Sequence, residues 1–142
     1  MTPADRERDL LDSLLPITDP TERLSVIAAG WQGPGMPAEL RSDALLVPGC
    51  VSRVHLLATR VGDRLHLQWD ADSSLVRGLV GLLCAVYQDT ALGASAAHGC
   101  GLLQSLGLDR QLSPTRLRGL ENACALIRAR AAALLAADSS AA

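Results

Sequence analysis

Aromatic residues are almost missing from this chain, which has no Phe, one Tyr and two Trp in 142 residues. Its core must therefore be built from Leu, Val, Ile and Ala, and it lacks the platforms on which single-stranded bases stack. Positive charge is not in excess either. A net charge of -2 and a pI near 5.8 argue against a nucleic-acid partner, which calls for a basic face. Long apolar runs are absent. The longest, "LVGLLCAV" (79–86), is far too short to span a bilayer, and the opening "MTPADRERDLLDS" is charged with both signs and has no apolar signal core. These absences imply a soluble cytoplasmic protein with no membrane partner. The four cysteines include no Cys-x-x-Cys pair, the usual frame of a structural zinc site. With no sign of secretion they are expected to be free thiols.

What is present is globular, with 49% hydrophobic and 20% charged residues, enough for one domain with a buried core. That domain is expected over 1–137, with 138–142 as a frayed tail. Leu10, Leu11, Leu14 and Leu15 mark a first helix, stopped by Pro16. "TDPTERLSVIAAG" reads as a second helix. Asp19 is its N-cap, Pro20 its first residue, and Glu22 completes a capping box; Gly30 ends it. "AELRSDA" suggests one more helical turn. The period then changes to two. In "VSRVHLLATR", Ser52, Val54, Leu56 and Ala58 share one face, and Val51, Arg53, His55, Leu57 and Thr59 share the other. "VGD" turns the chain, and Leu65, Leu67 and Trp69 alternate on the way back. "ALLVP" (44–48) is a candidate third strand. Helices resume at "DSSLVRGLVGLLCAVYQ", apolar on most faces and expected at the centre, with Asp72 as N-cap. A glycine-broken helix follows at "SAAHGCGLLQSLGL". The last helix has Ser113 as cap and Pro114 at its first position. Its inward stripe is Leu117, Leu120, Cys124, Ile127, Ala131 and Leu134. The expected class is α+β: a small antiparallel sheet of about three strands packed against N-terminal and C-terminal helices.

The cysteines differ in setting. Cys84 lies inside the most apolar helix and Cys124 on the inward stripe, so both read as small buried hydrophobes. Cys100, between two glycines, is open to solvent on this reading but has no assigned general base or partner thiol. Cys50 follows Pro48-Gly49, where a turn leads into a strand. Such a place presents a thiol to another molecule, and Arg53 nearby would favour the thiolate. Spacing alone leaves a plain strand-entry turn equally open.

Three blocks carry a resemblance. "GCVSRV" (49–54), "DADSSLVRGLVGLLCAVY" (70–87) and "LSPTRLRGL" (112–120) resemble, in order and separation, the signature blocks of SufE-type sulfur acceptors, and "TERLSVIAAG" ahead of them is similar too. The resemblance implies an α+β fold related to the iron–sulfur scaffold proteins. It also implies a sulfur carrier that takes persulfide sulfur from a pyridoxal-phosphate cysteine desulfurase of the SufS or CsdA kind and stimulates that enzyme. The pyridoxal phosphate then belongs to the partner, and the sulfur passes on to an iron–sulfur scaffold. The acceptor cysteine of the Gly-Cys-x-Ser motif falls on Cys50 and the arginine of the third block on Arg116, where it can stabilise an anion. The family's acidic residue ahead of the central helix falls on Asp72, and Asp72 and Arg53, both near the loop, are the expected partner-contact residues. Such a carrier is a monomer or weak homodimer and not an independent enzyme. Two positions depart from the family pattern: His55 replaces a usual Trp, and Arg118 a usual uncharged residue. Two other readings are a metal-cluster scaffold, needing about three clustered ligands, and a thiol redox protein using Cys50, which would call for a resolving cysteine.

Overall fold

The structure, a computed structural model, describes residues 1–141, with side chains described as far as Ala137. Two helices come first, α1 (Pro3–Leu14) and α2 (Pro20–Gly30). Asp19 caps α2 as expected, its side chain accepting from the Thr21 amide, with Pro20 at the first position. The capping box falls at α1 instead, where Thr2 and Asp5 bond each other's backbone amides reciprocally. The turn expected in "AELRSDA" is two short 3-10 turns, Ala38–Leu40 and Asp43–Leu45.

The sheet is a single hairpin. Strands β1 (Val54–Val61) and β2 (Arg64–Ala71) pair antiparallel from Val54↔Ala71 to Val61↔Arg64. Gly62, with φ +64°, opens the two-residue turn, a conformation that suits glycine. Val54, Leu56, Leu65 and Leu67 are buried, so the inward face is the one that alternation gives. The third strand at 44–48 does not form. Leu45 and Leu46 donate to Ser42 and Asp43 in a turn, so their amides are not free for a ladder. Pro48 has no amide to donate, and the stretch keeps a single bridge, Leu46↔His55. The first strand also begins later than its apolar alternation suggests, at Val54 rather than Val51.

Helix α3 (Ser74–Tyr87) is the centre of the molecule. It packs against α1, α2, β2 and the last helix, α7 (Pro114–Ala141). Ser73, not Asp72, is its N-cap, with the Ser73 Oγ accepting from the Val76 amide. The amide of Asp72 is spent on the Arg53 carbonyl at 3.2 Å. Three short helices, α4 (Leu92–Ala97), α5 (Leu102–Ser105) and α6 (Leu108–Gln111), lead to α7. Ser113 caps α7, accepting from the Arg116 amide at 3.2 Å. Leu120, Ala123, Cys124, Ile127 and Ala131 of α7 are buried. The helical backbone runs to Ala141; the side chains of 138–142, where fraying is expected, lie outside the described residues. As the composition requires, the core is aliphatic. Among the described residues Tyr87 alone adds a fully buried aromatic ring, and its hydroxyl donates to the His98 carbonyl at 2.7 Å.

Candidate functional site: a thiol in an apolar pocket

The loop carrying Cys50 is tied at three places. At its base the Val47 amide donates to the Val54 carbonyl at 2.9 Å. On the β1 side the Asp72 amide holds the Arg53 carbonyl, as above. At the tip, the Asn122 Nδ2 of α7 donates to the Pro48 carbonyl at 2.7 Å. Gly49 makes this geometry possible. Its φ is +78°, and a Cβ there would meet Asn122 Nδ2 at 2.6 Å. The chain therefore turns inward, and Cys50 follows it.

Cys50 is half-buried. Its surroundings are Val51, Ser52, Val76 of α3, and Arg116, Gly119 and Leu120 of α7, around a cavity of about 20 Å³. That is room for roughly one water-sized group. The sulfur rests against Gly119, where an added Cβ would lie 2.8 Å from Cys50 Sγ. Burial pushes the Cys50 thiol above the ordinary cysteine pKa, because an anion is poorly solvated among valines and leucines. At rest the thiol is protonated and sheltered. Val51, next in the chain, is turned outward and is 79% exposed.

Of the residues singled out in the sequence, Cys50 and Arg116 share this pocket. Arg116 opens α7, and among the described residues no carboxylate pairs with its guanidinium. Arg53 lies in an exposed pair, its guanidinium 3.1 Å from Asp43 Oδ1, and the shift of the Cys50 thiol comes from burial. Asp72 flanks the loop through its backbone, with its side chain exposed. His55 is buried on β1, its Nε2 unpartnered among the described residues, and it is not among the residues lining the Cys50 pocket. Cys84 and Cys124 are buried as expected. Cys100 is only half-exposed and lines one cleft with Cys124, a neighbour that separation in sequence does not reveal. Gly119, Asn122 and Val76 escape sequence reasoning. The signal that could have found two of them is the rarity of a glycine and an asparagine within the first turns of a long helix.

Fold and site together define a small α+β domain organised around one sheltered thiol. Residues 8–131 match the SufE family, described as the Fe-S metabolism associated domain, and the chain belongs to that family. It is similar to the sulfur acceptor protein CsdE of Escherichia coli (strain K12), with 35% identity over 114 residues that cover 78% of each chain. It is also similar to a hypothetical protein from Thermus thermophilus in its solution structure, with a TM-score of 0.75 at 20% identity over 92% of this chain and 96% of that one. At that identity the second likeness concerns the fold alone. No helix among the described residues is long and apolar enough to cross a membrane.

Proposed function

We propose that Cys50 accepts sulfane sulfur from a pyridoxal-phosphate cysteine desulfurase, stimulates that enzyme by unloading it, and hands the sulfur on for iron–sulfur cluster assembly. The observation that carries this reading is the pocket. It holds one thiol among apolar side chains and leaves space for about one more group the size of a water, which is close to the size of a single added sulfur atom. Membership of the SufE family and similarity to a sulfur acceptor support it.

In the transfer, the Cys50 thiolate attacks the outer sulfur of the partner's cysteine persulfide. A bond forms from Cys50 Sγ to that sulfur, the partner's sulfur–sulfur bond breaks, and the partner's cysteine leaves as a thiolate. The attack needs the thiolate, which burial disfavours, so the loop must leave the pocket to react. Returning to it covers the new persulfide, which open solvent would expose to oxidants and reductants. Arg116, at the pocket wall, is the nearest candidate to stabilise the persulfide anion by a charge-assisted hydrogen bond.

The test is direct. The protein is incubated with a desulfurase, free cysteine and pyridoxal phosphate, trapped with an alkylating reagent and mapped by peptide mass spectrometry. The added sulfur is expected on the Cys50 peptide, and Cys50→Ser should accept none. Arg116→Ala should slow acceptance roughly tenfold, about 1.4 kcal/mol in the barrier, with an unchanged melting temperature. Sulfur found on Cys84, Cys100 or Cys124, with Cys50→Ser still competent, would overturn the reading. The scaffold alternative needs a ligand cluster, and among the described residues no group of three His, Cys, Asp or Glu side chains is placed to hold a metal ion.

A further inference from the structure

Among the described residues no resolving cysteine lines the Cys50 pocket, yet two other thiols meet at a second cleft, one of them on α7. Cys100 stands in the loop between α4 and α5, and Cys124 faces it from α7. The two thiols perturb each other's protonation, the pKa of Cys100 being pushed up and that of Cys124 down. Both line one cleft together with Glu121, Gln104 and Arg128, where Cys100 is partly exposed and Cys124 is 7% exposed. The loop is not free to drift. Glu7 of α1 grips it on both sides of Cys100, with its Oε1 3.0 Å from the His98 Nε2 and accepting from the Gly101 amide at 3.0 Å. The guanidinium of Arg128 borders the same cleft, and its Nε is buried with no hydrogen-bond partner among the described residues. Two thiols lining one cleft with a cation beside them form a setting in which thiol oxidation is selective.

We propose that Cys100 and Cys124 form a redox-active dithiol, a second thiol site that hydrogen peroxide converts into an intramolecular disulfide fastening α7 to the α4–α5 loop. Cys124 is the first nucleophile. Cys100 and the charge of Arg128 lower its pKa against burial and the carboxylates of Glu7 and Glu121, while Cys100 keeps its proton. The Cys124 thiolate attacks one peroxide oxygen, the oxygen–oxygen bond breaks, and hydroxide leaves, giving a sulfenic acid. The sulfur of Cys100 then attacks that of Cys124. The sulfur–sulfur bond forms, the sulfur–oxygen bond breaks, and the departing oxygen leaves as water. In sum two thiols are oxidised, one peroxide is reduced, and two waters are released. Cys84, fully buried within α3, has no part in this.

The experiment uses the full chain carrying Cys50→Ser, so its outcome is independent of the sulfur-transfer reading. That protein keeps three of the four cysteines. After treatment with hydrogen peroxide, thiols titrated in denaturant should fall from three to one, and digestion without reductant should yield a Cys100–Cys124 crosslinked peptide that dithiothreitol separates. In the Cys50→Ser, Cys100→Ser protein, checked for native circular dichroism, the crosslink should vanish and dimedone should label Cys124. Arg128→Gln should slow disulfide formation roughly tenfold, as loss of a thiolate-favouring cation does. The proposal is overturned if both thiols stay reduced while Cys84 reacts, if they pass to sulfinic acids without a crosslink, or if crosslinks form only between molecules.

Discussion

One hydrogen atom at the Cα of Gly119 makes room for the sulfur of Cys50. A methyl there would meet Cys50 Sγ at 2.8 Å and its Cα at 3.3 Å, so the side chain and loop would have to move outward. Asn122, one turn further along α7, holds the same loop down through the Pro48 carbonyl at 2.7 Å. Both residues are therefore expected to restrain the loop that shelters the thiol. In wild type, alkylation of Cys50 by iodoacetamide should reach half its maximal rate at a pH above that of an ordinary cysteine, because burial raises the thiol pKa and only the thiolate reacts. Gly119→Ala and Asn122→Ala should each move that midpoint down and speed alkylation at neutral pH. Their effects on stability should differ. Asn122→Ala loses one hydrogen bond, about 1 kcal/mol, or about 2–4 °C in melting temperature for a chain of this size. Gly119→Ala gains up to about 1 kcal/mol of helix propensity, which offsets the crowding. Alkylation rates identical to wild type in both proteins would show that neither residue restrains the loop. Pro48-Gly49-Cys50 was legible in the sequence because a turn is a local event. Its two restraints were not, since they are brought to it across about seventy residues by the packing of α7.

At the scale of elements, the glycines of α3 matter more than its leucines for where the helix lies. Gly78 faces the backbone of α2, where an added Cβ would lie 2.5 Å from the Ala28 carbonyl oxygen and 2.6 Å from its Cα. Gly81, three residues on, would meet the Trp31 carbonyl oxygen more closely still. Spaced as i and i+3, they form a notch on one face of α3 that seats the end of α2, and Arg77 beside them donates to the Gln32 and Gly33 carbonyls at 2.9 and 3.1 Å. Backbone cannot rotate aside as a side chain does. Gly78→Ala should therefore cost about 1–3 kcal/mol, as overpacking typically does, despite the better helix propensity of alanine. The measurement is a urea midpoint at unchanged slope; a midpoint equal to or above wild type would mean that α2 is free to shift. Hydrophobic periodicity made α3, α7 and the hairpin legible, because each repeats its pattern over several turns or residue pairs. It failed where a single hydrogen bond decides. Asp72 and Ser73 are both good caps in composition, and Ser73 is the one whose side chain accepts from a first-turn amide, that of Val76. The stretch 44–48 has strand-like residues, but Asp43 begins a turn that uses the amides a strand would need.

The whole molecule presents the Cys50 loop on a surface of mixed charge. The net charge of -2 is too small for long-range steering by the molecule as a whole, so any electrostatic preference of a docking partner must come from charges around the loop. Four side chains frame it. Val51 is apolar and exposed beside the thiol, Arg116 stands at the pocket wall, and Arg53 and Asp72 flank the β1 side, joined through the Asp72 amide and the Arg53 carbonyl. The Arg53–Asp43 pair at 3.1 Å is 59% and 87% exposed, and such pairs contribute about 0–1 kcal/mol. Breaking it should leave the fold intact, which makes these charges suitable probes of docking. A protein with Arg53→Glu and Asp72→Lys keeps the same net charge while inverting the local pattern. If the loop docks in a desulfurase cleft, that protein should associate more slowly, with the difference fading as salt is raised, and dissociate at nearly the wild-type rate. Val51→Asp should act differently, by speeding dissociation at all salt concentrations, since it replaces apolar contact rather than rim charge. Stopped-flow or surface-binding kinetics at two ionic strengths separates the two patterns. Wild-type association rates for the charge-inverted protein, together with a wild-type dissociation rate for Val51→Asp, would place the docking surface away from the Cys50 loop and leave the thiol without a route to its partner.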